Sequence, residues 1–165
     1  MKFNTHSPTS AALYATSHNE AWAIDFAMLD FAAKPLVMLI VDVRTRRPLS
    51  ATVSHMAMED IIIRLERLVR RSGRPERIWM DYSSAYNTIE GHFHPSLQAW
   101  AQKHRISLTH DRMLLTRRIS ERPLRDLSAS LREKSFTTLM ELGHDIERWR
   151  QSYHRAARTM PNVNQ

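Results

Sequence analysis

Three acidic residues far apart in the chain, Asp25, Asp81 and Glu121, are the ones whose types and spacing could carry chemistry. Asp25 lies within an apolar run that reads as a first strand, Asp81 ends a later strand, and Glu121 opens a helical stretch. Two hard cations about 4 Å apart require several carboxylate oxygens, one cation activating the attacking oxygen of a phosphoryl transfer and the other stabilising the leaving oxygen. Carboxylates remote in sequence can build such a site when strand ends are neighbours. In that geometry Asp25 and Asp81 would hold the first ion, and Asp25 and Glu121 the second. Each acid also has a plainer reading, since strand-end acids are usually solvated and an acid in the first turn of a helix stabilises its dipole. Repulsion among clustered carboxylates should keep the site loose until cations enter.

The elements that must position these acids can be read from periodicity. Trp22 to Phe31 and Leu36 to Arg44 suit strands separated by a turn at Ala33, Lys34 and Pro35. The unbroken run Leu36, Val37, Met38, Leu39, Ile40, Val41 predicts a central strand buried on both faces. Arg46, Arg47 and Pro48 turn the chain into a third strand, Leu49 to Ser54. From Ala57 to Arg71, Ile61, Leu65, Leu68 and Val69 recur at helical spacing, with Glu59 and Asp60 near the start and Gly73 as the stop. A strand at Arg77 to Asp81, a helix from Pro95 to His104 and a short strand at Ile106 to Thr109 follow. The remainder is helical, with one apolar face at Leu124, Leu127 and Leu131 and another at Leu139, Leu142, Ile146, Trp149 and Tyr153. Pro123 is expected only in the first turn of its helix. This order predicts an α/β domain, a mixed sheet with helices packed on its faces.

Composition narrows the class. The 165 residues suit one domain, and 42% hydrophobic with 25% charged residues is the balance of a globular chain. The absence of cysteine excludes disulfides, thiolate catalysis and cysteine-ligated zinc, and suits a reducing, cytoplasmic setting. The start of the chain is polar, without the apolar stretch of a signal peptide, and no run is long enough to span a bilayer, so a soluble, unexported protein is expected. A formal charge of +7 points to a polyanionic partner.

At the acids the chain resembles a known family, the retroviral-integrase-like (DDE) catalytic core of insertion-sequence transposases. Asn19-Glu20-Ala21-Trp22-Ala23-Ile24-Asp25-Phe26 is similar to the family's opening, in which a Trp precedes the first catalytic Asp by three residues. Asp42-Val43-Arg44-Thr45-Arg46 resembles its second-strand signature. Ile78-Trp79-Met80-Asp81 with Tyr86 resembles the segment of the second Asp, and Glu121-Arg122 with Leu124 and Leu127 the helix of the third acid. Trp149, Tyr153, His154 and Arg155 are similar to its closing helix. The resemblance implies an RNase H-like fold, a mixed five-stranded sheet with helices on both faces. It also implies two Mg2+ or Mn2+ ions, DNA strand cleavage and strand transfer, and a homo-oligomer, dimer or larger. Residues 1–18 are then a polar lead, 19–156 the catalytic core and 157–165 a tail. The chain departs from the family at Ser83, where Gly is usual, at Arg117 to Ser120, where an Asn is usual, and at Ser128, where a basic residue is common. A catalytically silent core that binds DNA or a transposase subunit is the alternative, and an RNase H-like nuclease a third.

Arg117, Arg118, Arg122, Arg125 and Arg132 are the candidate phosphate contacts, with Arg125 and Arg132 expected beside Glu121 on the helix. Their plainer reading is an exposed face. His92 and His94 lack a third ligand at metal-binding spacing, Trp79, Trp100 and Trp149 are expected in the core, and Asp30 and Asp42 are not chosen as ligands.

Overall fold

A computed structural model describes residues 15–55, 57–81, 87–111 and 115–159, with side chains described as far as His154. Ser83, Tyr86, Arg155 and most of the polar lead therefore lie outside the described residues or side chains. The elements are β1 (Ala21–Met28), β2 (Leu36–Asp42), β3 (Pro48–Ser54), α1 (Met58–Ser72), β4 (Arg77–Met80), α2 (Pro95–His104), β5 (Ser107–His110), α3 (Leu115–Leu131) and α4 (Leu139–Thr159). One five-stranded sheet runs in the order β3-β2-β1-β4-β5. The β1–β2 and β2–β3 pairs are antiparallel, whereas β4 joins β1 and β5 joins β4 in parallel.

Period-two alternation splits the core into two layers. Ala21, Ala23, Val37, Leu39, Val41 and Trp79 pack with Leu115, Ile119, Leu127, Leu142, Ile146 and Trp149 of α3 and α4. Trp22, Ile24, Met38, Ile40, Ile78 and Met80 pack on the other side with Ile61, Leu65 and Leu68 of α1 and Leu97 and Trp100 of α2. The continuous apolar run of β2 is thus used on both faces, as its sequence predicts. Burying a large apolar side chain contributes roughly 1.5–3 kcal/mol, so this alternation fixes which residues face which helices.

Three expectations are corrected. Glu121 does not open a helix, because the chain is already helical from Leu115. Pro123 accordingly lies inside α3 rather than in its first turn. Its ring nitrogen cannot donate to the carbonyl of Ile119, a local cost that packing of the buried Leu115, Ile119, Leu127 and Leu131 outweighs. β1 also stops at Met28, before Phe31, where the chain turns and Lys34 adopts a φ of 42°.

The signature residues of β1 and β2 hold the sheet's entrance together. Asp42 is fully buried and accepts hydrogen bonds from Asn19 N (2.6 Å), Thr45 N (2.7 Å) and Thr45 Oγ1 (2.9 Å). The Asn19 side chain accepts from the Trp22 indole at 2.7 Å and donates to the carbonyl of Ser72 at 3.0 Å, tying β1 to the end of α1. Replacing Asp42 with Ala removes the buried, charged acceptor of these bonds, and a hydrogen bond to a charged group contributes about 1.5–3 kcal/mol. Urea unfolding of Asp42→Ala should therefore show a loss of about 2 kcal/mol or more. A loss under about 0.5 kcal/mol, the range of ordinary surface changes, would remove this role.

Candidate active site

Strand register brings the first two acids side by side. The last parallel pairs are Ile24 with Met80 and Met80 with His110, so Asp25, Asp81 and Asp111 each follow at the next level of three adjacent strands. Alternation sends all three toward the face covered by α3, the same side as Ala23 and Trp79. There they meet a cleft of about 460 Å³ lined by Asp25, Asp81, Asp111, Thr116, Arg117, Ser120, Glu121 and Leu124. Asp25, Asp81 and Glu121 are thus drawn to one hollow.

Asp25 is anchored from both α3 and its own strand. The Ser120 hydroxyl of α3 donates to its Oδ2, and the Phe26 N–H donates to Oδ1 at 2.8 Å. Burial holds the Asp25 carboxyl above the usual aspartate range and the negative charge of Asp81 adds to this, whereas the Ser120 and Phe26 bonds and the Arg117 guanidinium pull it down. The anion is penalised on balance, and that is the electrostatic condition a divalent cation relieves.

Glu121 is held differently. Its side chain is 68% exposed and lies 3.9 Å from the Arg125 guanidinium one turn on. Among the described residues no three acids or histidines stand close enough together to hold a metal ion as they are. The donor set nevertheless suits a hard divalent cation, being made of carboxylate oxygens in a partly dry cleft. Asp25 and Asp81 face the cleft from the strand ends, and Glu121 lines it from α3.

Asp111 escapes the sequence-based choice of ligands. It is 9% exposed, its carboxylate accepts from the Thr116 N–H, and its own N–H donates to the carbonyl of Met80 at 2.6 Å. It thereby fastens the start of α3 to the ends of β4 and β5. The signal available was its place at the end of a strand parallel to that of Asp81. Asp30 and Asp42 do not line the cleft. His94 caps α2, its Nδ1 accepting from Ser96 N at 3.2 Å.

The basic residues divide. Arg117 lines the acidic cleft, while Arg118, Arg122 and Arg125 line a second hollow on the other flank of α3. Arg132 lies just past the end of α3 and lines neither, rather than projecting beside Glu121.

The fold is that of retroviral integrase catalytic cores. The catalytic core domain of BIV integrase superposes with a TM-score of 0.63 at 14% identity, over 81% of this chain and 82% of that one. A chain from the cryoEM structure of the simian T-cell lymphotropic virus intasome in complex with PP2A regulatory subunit B56 gamma gives a TM-score of 0.64 at 15% identity, over 92% of this chain and 58% of that one. No family model and no curated protein matches the sequence. Among the described residues no helix is long and apolar enough to cross a membrane.

The raised Asp25 carboxyl has a consequence for stability. The folded state binds this proton more tightly than the unfolded chain, so the penalty is absent below the ordinary aspartate range and grows as pH rises through it toward the folded value. Asp25→Asn keeps an oxygen to accept from Ser120 and removes the charge. In EDTA its Tm should exceed that of the parent at pH 7, with the gap closing near pH 3. An equal gap at both pH values would show that the charge is not responsible.

Proposed function

We propose that the cleft is the active site of a DNA transposase or integrase, a DDE-type polynucleotidyl transferase, in which Asp25, Asp81 and Glu121 hold two Mg2+ or Mn2+ ions. The observation that carries this reading is the neighbouring register of Asp25 and Asp81 at parallel strand ends, opening on the α3 face that bears Glu121. The integrase-core fold supports it. Bound divalent cations would supply activation of the attacking oxygen and stabilisation of the leaving oxygen of a phosphodiester.

The chain's own residues do the positioning. Ser120 and the Phe26 N–H orient the Asp25 carboxylate, and Asp111 anchors the start of the helix that carries Ser120 and Glu121. Glu121, which has only a loose contact with Arg125, would complete the set of carboxylates that hold the cations. A pair so exposed contributes about 1 kcal/mol at most, so its loss is inexpensive. Arg117 sits where a phosphate entering the cleft gains a cation, and Arg118, Arg122, Arg125 and Arg132 hold the DNA backbone outside it. As a strand-transfer enzyme the chain works as a dimer or larger assembly, in the cytoplasm.

Purified protein with Mn2+ and a pre-cut duplex end should join that end to target DNA. Asp81→Asn should lose at least about 100-fold of that activity, since disturbing the outer shell of a metal site alone costs about 10–100-fold. Strand transfer surviving intact in Asp81→Asn would remove the mechanism. Hydrolysis of an RNA–DNA hybrid in place of DNA joining would assign the cleft to a nuclease instead.

A further inference from the structure

The second hollow lies on the opposite flank of α3 from the acidic cleft, with a volume of about 770 Å³. Its walls come from three separate places in the sequence: Thr45, Arg46 and Arg47 in the β2–β3 turn, Arg118, Arg122 and Arg125 on α3, and Ser152 and Tyr153 on α4. The turn arginines did not figure among the sequence-based phosphate contacts, because nothing local relates them to a helix about 70 residues further on.

Charge in this hollow is unbalanced. Some guanidinium groups elsewhere are matched, as in Arg64 with Asp60, Arg70 with Glu66, Arg77 with Glu20 and Arg150 with Glu147. Among the described residues Arg46, Arg47, Arg118 and Arg122 have no ion-pair partner, and Arg125 has only the distant Glu121. The one carboxylate among the described lining residues, Asp126, accepts the indole N–H of Trp149 at 2.8 Å. Five guanidinium groups against one lining carboxylate leave a net positive charge that a polyanion stabilises.

We infer that this groove binds the sugar–phosphate backbone of duplex DNA, as a tract separate from the acidic cleft and continuous with it over α3. It rests on the reading of the cleft as a DNA site. A duplex fits better than a single strand, because strand-binding grooves carry exposed aromatic platforms and among the described lining residues the only aromatic one, Tyr153, is half-buried. Guanidinium forks meeting phosphates position a duplex without reading its sequence. With α3 about 10 Å across its side chains, a backbone leaving the cleft crosses into the groove within a few nucleotides.

The test measures binding of a fluorescein-labelled random-sequence duplex by anisotropy, in EDTA, across a salt series. These conditions make the result independent of metal and of the acids, so failure of the groove is distinct from failure of the catalytic reading. The groove variant combines Arg47→Gln, Arg118→Gln and Arg122→Gln. The control combines Arg67→Gln, Arg70→Gln and Lys103→Gln, which removes the same charge from α1 and α2 on the far face of the sheet. Circular dichroism melts confirm that both fold, and a single Arg118→Gln serves in place of the groove triple if that one does not. The groove triple should weaken binding at least about ten-fold and lower the salt slope by about 2 to 3, against under two-fold for the control, because each lost phosphate contact removes about 0.9 from the slope. Equal effects of the two triples would overturn the proposal. So would a single strand binding more tightly than the duplex, or polyglutamate competing as well as unlabelled duplex.

Discussion

The carboxylate of Asp25 is an anion that the fold places where anions are penalised, half-buried under α3 with Asp81 on the adjoining strand. Little but charge compensation can justify that placement. Neutral polar side chains would satisfy the Ser120 hydroxyl and the Phe26 N–H equally well, and apolar ones would fill the cleft at lower cost. The charged form is held by two hydrogen bonds and a distant guanidinium, which do not overcome burial and the like charge beside it. The stability surrendered here accords with the proposed cation site, and the rest of the cleft is arranged around it.

That arrangement follows from alternation along the strands. The residues before Asp25 on β1 bury Trp22 and Ile24 against α1 and α2, and Ala21 and Ala23 against α3 and α4. A shift of one residue in register would turn Asp25 into the α1 layer and Trp22 toward α3, so packing of the core holds the acid on the correct face. The small side chains of Ala21 and Ala23 let α3 approach β1 closely enough for Ser120 to reach Asp25. Helix α3 then serves two surfaces, an acidic cleft on one flank and an arginine-lined groove on the other.

Much of this was legible in the sequence, and the parts that were not share a cause. Periodicity located the strands and helices, the double-sided burial of β2 and the core positions of Trp79, Trp100 and Trp149, because those patterns are local. Register is not local. Nothing within a short window says that Asp111 stands level with Asp81, or that Arg46 and Arg47 face Arg118 and Arg122. Pro123 misled for a related reason: its intrinsic cost is visible in sequence, whereas the packing of Ile119 and Leu127 that outweighs it belongs to the folded chain. Asp42 and Asn19 look like functional signature residues and are buried fasteners, a distinction that appears only when their hydrogen-bond partners do. Glu121 suits the opening of a helix by sequence yet lies well inside one, beside Arg125 and exposed to solvent.

The claim on which this account stands is that the aspartates at the strand ends bind divalent cations. Isothermal titration of Mn2+ into the full chain tests it without needing the DNA substrate. The account predicts saturable binding that is lost in Asp25→Asn and in Asp81→Asn and weakened in Glu121→Gln, with each variant still folded. Binding unchanged by all three substitutions, or no binding to the parent protein, would contradict it and leave a core that keeps the integrase fold without its chemistry.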